Sequence, residues 1–221
     1  KASSRLGQGS DEWAMHVKGL EMPGYEPRSL KTMALGLAVS TRGACHNRSS
    51  SYEADFSPEV DRFKADADRG AITMHGEDYS AVMDSMIWCK FLRKVFDNFY
   101  EESAAIYEHI TGWATTSADL KVTGERINNI KKLFNIREGW TRKDDCLPPR
   151  VLKEPLPTGL AQGIGLSAND LDLMIDSYYK ARGWTSEGLI NESKLLELEI
   201  EVSAPMQSPS TSLPSVKSMR V

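Results

Sequence analysis

The segment Thr116-Ser117-Ala118-Asp119-Leu120-Lys121-Val122-Thr123-Gly124-Glu125-Arg126-Ile127-Asn128-Asn129-Ile130-Lys131-Lys132-Leu133-Phe134-Asn135-Ile136-Arg137 decides the fold class. Thr116 and Asp119 have the spacing of a capping box, in which each side chain satisfies a backbone N–H at a helix start. Leu120, Ile127, Ile130 and Phe134 then fall on one side of a helix reaching about Arg137. A second stretch repeats the logic. Ser167-Ala168-Asn169-Asp170 caps it, Leu171, Met174, Ile175 and Tyr178 form its apolar stripe, and Gly183 closes it. The expected fold is all-α.

Outward from these segments, Ser29 to Ser40 reads as helix. Met33, Leu37 and Ser40 fall at helical spacing, and small Ala34, Gly36 and Ala38 permit close approach of another backbone. Ser57-Pro58-Glu59-Val60 reads as a helix start, ending at Gly70, with a separate helix from about Asp78 into the 80s. Asn98 to Ile110 reads as helix stopped by Gly112, and Asn191 as the cap of a last helix through Leu198. Met22-Pro23-Gly24-Tyr25-Glu26-Pro27 and Asp144 to Arg150 read as loops. No hairpin signal is visible. Residues 1–16 read as a loose lead-in, 17–202 as a helical region of one core or two small domains, and 203–221 as a disordered Ser/Pro-rich tail.

The 221 residues carry a net charge of -4, with 40% hydrophobic and 26% charged positions. No clustered basic surface points to nucleic acid. No apolar run is long enough to span a membrane, and the first residues lack the apolar core of a signal peptide. The chain begins at Lys1 without an initiator Met, so a fragment or processed piece is expected. Cys45, Cys89 and Cys146 are odd in number and far apart, which argues against a disulfide framework and makes a cytoplasmic protein the default. His16, His75 and His109 have no metal-ligand spacing, and no phosphate loop or nucleophile elbow is present.

Several strings nevertheless resemble, in order, the C-terminal region of aldehyde:ferredoxin oxidoreductases. They are Met22-Pro23-Gly24-Tyr25-Glu26-Pro27-Arg28, Thr41-Arg42-Gly43-Ala44-Cys45-His46, Asp84-Ser85-Met86-Ile87-Trp88-Cys89-Lys90-Phe91, Gly124-Glu125-Arg126-Ile127, Leu133 to Gly139, Arg142-Lys143-Asp144-Asp145, Leu147-Pro148 and Tyr178 to Trp184. The likeness covers about residues 17–200. It implies the helical part of a larger enzyme whose β-rich N-terminal part carries much of a pterin site. Between the parts would lie a tungsten or molybdenum bis-pterin beside a [4Fe-4S] cluster. Three cluster cysteines belong to a close-spaced motif that this chain lacks. The implied partners are that N-terminal part or a separate subunit, ferredoxin and a small aldehyde; homo-oligomerisation stays open.

The resemblance assigns Cys89 as the fourth cluster ligand, a thiolate being the usual choice. It assigns Asp84 to the N–H groups of the pterin, which a carboxylate suits as acceptor. Five residues on a straight helix turn about 140° past a full circle, so both can face one cofactor only if the helix ends or bends between them. The family usually has Gly-Leu before the Cys; Ile87 and Trp88 stand there instead. The alternative for Cys89 is a buried free cysteine on an apolar helix face of Met83, Ile87 and Phe91. His46 resembles a family histidine beside the metal, suited to proton transfer, and otherwise reads as an ordinary loop histidine. Arg42, Arg48, Trp88 and Lys90 fall at pterin-contact positions. Arg is a good partner for phosphate, and each Arg otherwise reads as a solvated charge. Arg126, Arg137 and Glu138 read as an internal ion network without chemistry, and Cys146 as a packed residue.

The implied activity is oxidation of an aldehyde to a carboxylic acid. Two alternatives stay open: a related family reaction, on a sugar-phosphate aldehyde or an aromatic thioester, and a cofactor-free helical interaction module.

Overall fold

The computed structural model describes residues 2–201; the expected disordered tail, 203–221, lies outside them. The described chain is helical: α1 (Ala2–Leu6), α2 (Lys31–Val39), α3 (His46–Ser49), α4 (Tyr52–Asp55), α5 (Asp68–Ser85), α6 (Phe99–Thr111), α7 (Ser117–Arg137), α8 (Pro149–Lys153), α9 (Ala168–Arg182) and α10 (Glu192–Glu197). The all-α expectation holds, with one small exception. Strands β1 (His16–Val17) and β2 (Leu20–Glu21) pair antiparallel. Their turn residues Lys18 and Gly19 both have positive φ, 49° and 80°, as a tight primed hairpin turn needs. Two residues per strand are too short to show an alternating pattern. The turn is held instead by tertiary contacts of Lys18 to Asp145, at 2.7 Å, and to the Ala38 carbonyl.

Helix α5 is the centre, touching α2, α3, α7 and α9. It runs unbroken through Gly70, correcting the expected stop there and the separate start near Asp78. These glycines are contact points. A Cβ on Gly70 would collide with the backbone of Ser177 and Tyr178 in α9, and one on Gly76 with the Ser49 carbonyl. Gly124 of α7 meets the Asp78 carbonyl in the same way, and Gly36 of α2 meets the Ser49 hydroxyl. The helix expected from Ser57 does not form. Ser57 and Asp61 take the N–H groups of Glu59 and Phe63 at 3.3 and 3.0 Å, and Arg69 binds the carbonyls of Asp61 and Lys64 at 2.7 and 3.1 Å. Such local bonds compete with helix formation.

The capping boxes of α7 and α9 are present as expected. The α9 stripe Leu171, Met174, Ile175 and Tyr178 is buried as expected, and Gly183 ends the helix at φ 69°. In α7 the expected apolar side is buried only at its start. Leu120 is buried and Ile127 half-buried, but Ile130 and Phe134 are 49% and 54% exposed, while Gly124, Asn128, Asn129 and Lys132 are buried. Paired polar groups occupy that interior. Arg182 bonds Glu77 and Asp78 at 2.7 and 2.6 Å. Asn128 donates to Asp78 at 2.8 Å and Tyr178 to Glu77 at 2.5 Å. Lys132 lies 3.5 Å from Asp145, which also accepts from Tyr179 and Trp140 at 2.6 and 3.0 Å. The internal ion network is therefore this one. Arg137 pairs with its exposed neighbour Glu138, and Arg126 reaches the Leu198 carbonyl. Cys146, expected to be packed, is exposed.

Two apolar clusters result. The larger gathers α2, α9 and the segments around Val17, Leu147 and Trp184. The smaller joins Val82 and Met83 of α5 to Phe99, Ala104 and Leu120, with Trp88 and Phe96 against it. The lead-in carries α1 and a 3-10 turn at Ser10–Trp13, neither with a buried residue.

Candidate functional site

The C-terminal end of α5 positions the central group. The helix stops at Ser85, and the N–H groups of Ile87 and Trp88 bond back to the carbonyls of Asp84 and Met83 at 3.2 and 3.1 Å. Ile87 sits at φ 59°. Cys89 follows in extended conformation and opens a 3-10 turn, Lys90–Lys94. The bend required between Asp84 and Cys89 is thus present, with isoleucine in a left-handed conformation that usually favours glycine. Past the bend the chain doubles back, so that the Lys90 ammonium lies 2.8 Å from one Asp84 oxygen and 3.2 Å from the Ser80 carbonyl. Arg48 of α3 pairs with the other Asp84 oxygen.

Cys89 is exposed beside this cluster. Ile87 and Phe91 are 92% and 91% exposed, so the buried-cysteine alternative does not describe the position. Trp88 turns the other way, onto Phe96 at 4.4 Å in the smaller core. Its side chain is committed to that core and is not brought to Asp84.

His46 begins α3 and is half-buried against Tyr25 and Tyr52, with ring centroids 5.4 and 6.0 Å away. Tyr25 and Tyr52 stack on each other at 5.2 Å. Arg93 holds this group. It donates to the Tyr52 and Ser50 hydroxyls at 2.5 and 2.8 Å and pairs with Glu53 at 2.5 Å. Burial, and secondarily the Arg93 charge, lower the His46 pKa from its usual 6.5, so the ring is neutral at pH 7. Arg42 is exposed, its guanidinium 3.9 Å from the Cys45 sulfur. The neighbouring Thr41 carbonyl is held by Asn135 of α7 at 2.8 Å.

Of the residues singled out in the sequence, Arg48, Asp84 and Lys90 form one cluster. Cys89 adjoins it, His46 shares α3 with Arg48, and Arg42 and Trp88 stand apart. Sequence reading missed Arg93, Tyr52 and Lys131. Lys131 lies one turn before Asn135 on α7, and burial first, then the Arg48 charge, lowers its pKa from the usual 10.5. No local motif marks any of them, because each arrives from a different element.

Among the described residues no three His, Cys, Asp or Glu side chains are grouped to hold a metal ion. The donor set is one exposed thiol, one carboxylate and several cations. That set fits the rim of an anionic, N–H-bearing cofactor and a single share in a cluster's ligation. Among the described residues, no helix is long and apolar enough to cross a membrane.

Comparison with known proteins agrees with the resemblance. The family model described as aldehyde ferredoxin oxidoreductase, domains 2 & 3, matches residues 1–200. The tungsten-containing aldehyde ferredoxin oxidoreductase of Pyrococcus furiosus is 34% identical over 206 residues, covering 90% of this chain and 33% of that protein. That of Thermococcus kodakarensis is 32% identical, covering 87% and 32%. The chain therefore spans about a third of the length of the curated relatives it matches. Among solved structures, the active site complex BamBC of benzoyl coenzyme A reductase in complex with 1,5 dienoyl-CoA superposes with a TM-score of 0.68. It covers 90% of this chain and 35% of that one at 15% identity, a likeness of fold alone. With its helical architecture and the match over residues 1–200, the chain belongs to the aldehyde ferredoxin oxidoreductase family, in the region of its domains 2 and 3.

Proposed function

We propose that this chain is the C-terminal part of a tungsten-pterin aldehyde:ferredoxin oxidoreductase, completed by an N-terminal part in the same or a separate polypeptide. The carrying observation is the end of α5, where the chain bends at Ile87, Lys90 returns to pair with the Asp84 carboxylate, and Cys89 between them in sequence is exposed. Exposed apolar side chains support an incomplete surface: Ile87, Phe91 and Val95 past the end of α5, and, on another element, Ile130 and Phe134 of α7. A large exposed apolar patch marks a surface that another chain or segment covers.

In the complete enzyme such a centre would supply the two-electron oxidation of an aldehyde and water to a carboxylic acid, with ferredoxin as the proposed electron acceptor. The chain's own residues would bind and position. Asp84 would accept from the N–H groups of the pterin. Arg42, Arg48 and Lys90 would offset its phosphate charge, with Trp88 contributing backbone only. Cys89 would supply one ligand to a [4Fe-4S] cluster whose other cysteines lie outside this chain. His46, kept neutral by burial, would take up a proton as the acid forms. Tyr25 and Tyr52 hold its ring, and Arg93 fixes Tyr52.

The test is elemental analysis for tungsten, molybdenum and iron on the native protein purified anaerobically, with intact mass beside it. Tungsten or molybdenum with about four irons per site and the N-terminal part present supports the reading. A metal-free chain that purifies alone overturns it in favour of a cofactor-free helical module. Replacing Cys89 in the complete protein, Cys89→Ser, is expected to abolish the normal paramagnetic resonance signal of the cluster. An unchanged signal sinks the ligand assignment.

A further inference from the structure

His46 begins α3, a helix of a single turn that ends at Ser49. One turn is unstable alone, because it orders several residues for one or two hydrogen bonds. Ties from other elements must therefore place the imidazole. Several of them meet at Ser50, which closes the turn. Its N–H bonds the His46 carbonyl at 3.1 Å. Its hydroxyl meets the Ser80 hydroxyl of α5 at 3.1 Å and accepts from Arg93 at 2.8 Å. Ser50 holds φ at 51°, a left-handed conformation that glycine adopts more easily. Glycine there would lack the hydroxyl that Arg93 and Ser80 bind.

Arg93 reaches this point from the 3-10 turn that follows Cys89. Its side chain, 10% exposed, divides its donors among three residues: Nε to Glu53 at 2.5 Å, one Nη to Ser50 and the other to the Tyr52 hydroxyl at 2.5 Å. A planar fork serves partners spread in this way, whereas a lysine offers one compact charge. Tyr52 stacks on Tyr25, and both rings face His46. The groups about the imidazole are thus Tyr25 from the loop before α2, Tyr52 from α4 and Arg93, whose charge Glu53 offsets. Arg93 also borders a cavity of about 290 Å³ between α4 and α5, so bonds rather than close packing fix its place. We propose that Arg93 is a positioning residue for His46: it clamps Ser50, Tyr52 and Glu53 together, and so fixes both the one-turn helix that carries the imidazole and the tyrosine pair that shields it. The clamp rests on the function proposed above only in the proton role given to His46.

The test follows the His46 imidazole by proton magnetic resonance during a pH titration of the full 221-residue chain, with His46→Gln to assign the signal. Arg93→Lys keeps the charge and loses the fork, Arg93→Gln loses both, and Tyr52→Phe loses only the hydroxyl that Arg93 holds. Each variant is checked for unchanged helicity by circular dichroism. In the wild type the signal is expected to carry a ring-current shift from the two tyrosines and to titrate below the usual 6.5, through burial first and the Arg93 charge second. A clamp requires Arg93→Lys, like Arg93→Gln, to reduce the ring-current shift and move the titration toward 6.5, with Tyr52→Phe moving it the same way by less. If Arg93→Lys matches the wild type while Arg93→Gln does not, the charge alone acts and the clamp is overturned. It is equally overturned if no variant moves the signal. Should the Arg93 variants lose helicity, Tyr52→Phe decides: a signal moved toward 6.5 upholds the clamp and an unmoved one overturns it. Turnover of the complete enzyme judges the function separately, since wild-type turnover in His46→Asn removes the proton role and leaves the clamp standing.

Discussion

Replacing Ile87 by glycine should stabilise this protein. Ile87 sits at φ 59° with 92% of its surface exposed. The left-handed region costs an L-residue about 1–2 kcal/mol, and a β-branched side chain is among the least suited to it. Its exposure means that truncation forfeits little buried surface. Glycine removes the steric cost but returns roughly 0.5–1 kcal/mol through the greater freedom of the unfolded chain. The net expectation is a gain of about 0.5–1 kcal/mol. In a chain of this size that raises the melting temperature by about 2 °C. Urea unfolding followed by circular dichroism should show a higher midpoint with an unchanged slope. Ile87→Asn, which tolerates the left-handed region better, should fall between the two, and Ile87→Val should match the wild type. A glycine variant no more stable than the wild type would refute the claim that the bend stores strain. It would also remove the reason for connecting this turn to the glycine usual in the family.

Gly70→Ala drives a methyl group into the backbone of Ser177 and Tyr178, so a loss of about 1–3 kcal/mol is expected; an unchanged urea midpoint would show that α5 and α9 can part at little cost. Lys132, 1% exposed, is pushed by burial first of all down to about 7 from its usual 10.5. Between those values the unfolded chain binds a proton that the folded chain does not, so stability rises with pH by up to about 1.4 kcal/mol per unit above pH 7. Below pH 7 both states are protonated and the penalty is constant. Urea midpoints from pH 7 to 9 should climb in the wild type and flatten in Lys132→Met, and a flat wild-type profile contradicts the assignment. In the complete enzyme His46→Asn should slow turnover on the order of a hundredfold at unchanged metal content, and wild-type turnover would remove the proton-transfer role.

The legible parts of the fold were those written in local chemistry. The capping boxes at Thr116 and Ser167, the closing glycines 112 and 183 and the α9 stripe each depend on residues within one or two turns. The illegible parts depend on distant partners. Gly70 and Gly76 look like helix stops in isolation; their meaning lies in α9 and in Ser49, remote in sequence. Ser57-Pro58 has the composition of a helix start and loses to bonds from Arg69. In the site, Arg48, Asp84, Cys89 and Lys90 were found only through the family pattern, since none sits in a motif that chemistry alone would single out.

Helix α7 shows why its apolar side misled. A helix buried on one face announces that face by hydrophobicity, but the interior side of α7 is made of Asn128, Asn129 and Lys132, whose polar groups find Asp78, Trp184 and Asp145. Every one of those bonds is needed, because a buried polar group without a partner costs roughly 1–3 kcal/mol. That leaves Ile130 and Phe134 exposed on the same helix. Large apolar side chains in water are unfavourable for lack of burial, and a covering protein surface relieves that cost. Under the proposed function such a cover comes from the part of the enzyme outside this chain, which spans about a third of its relatives' length.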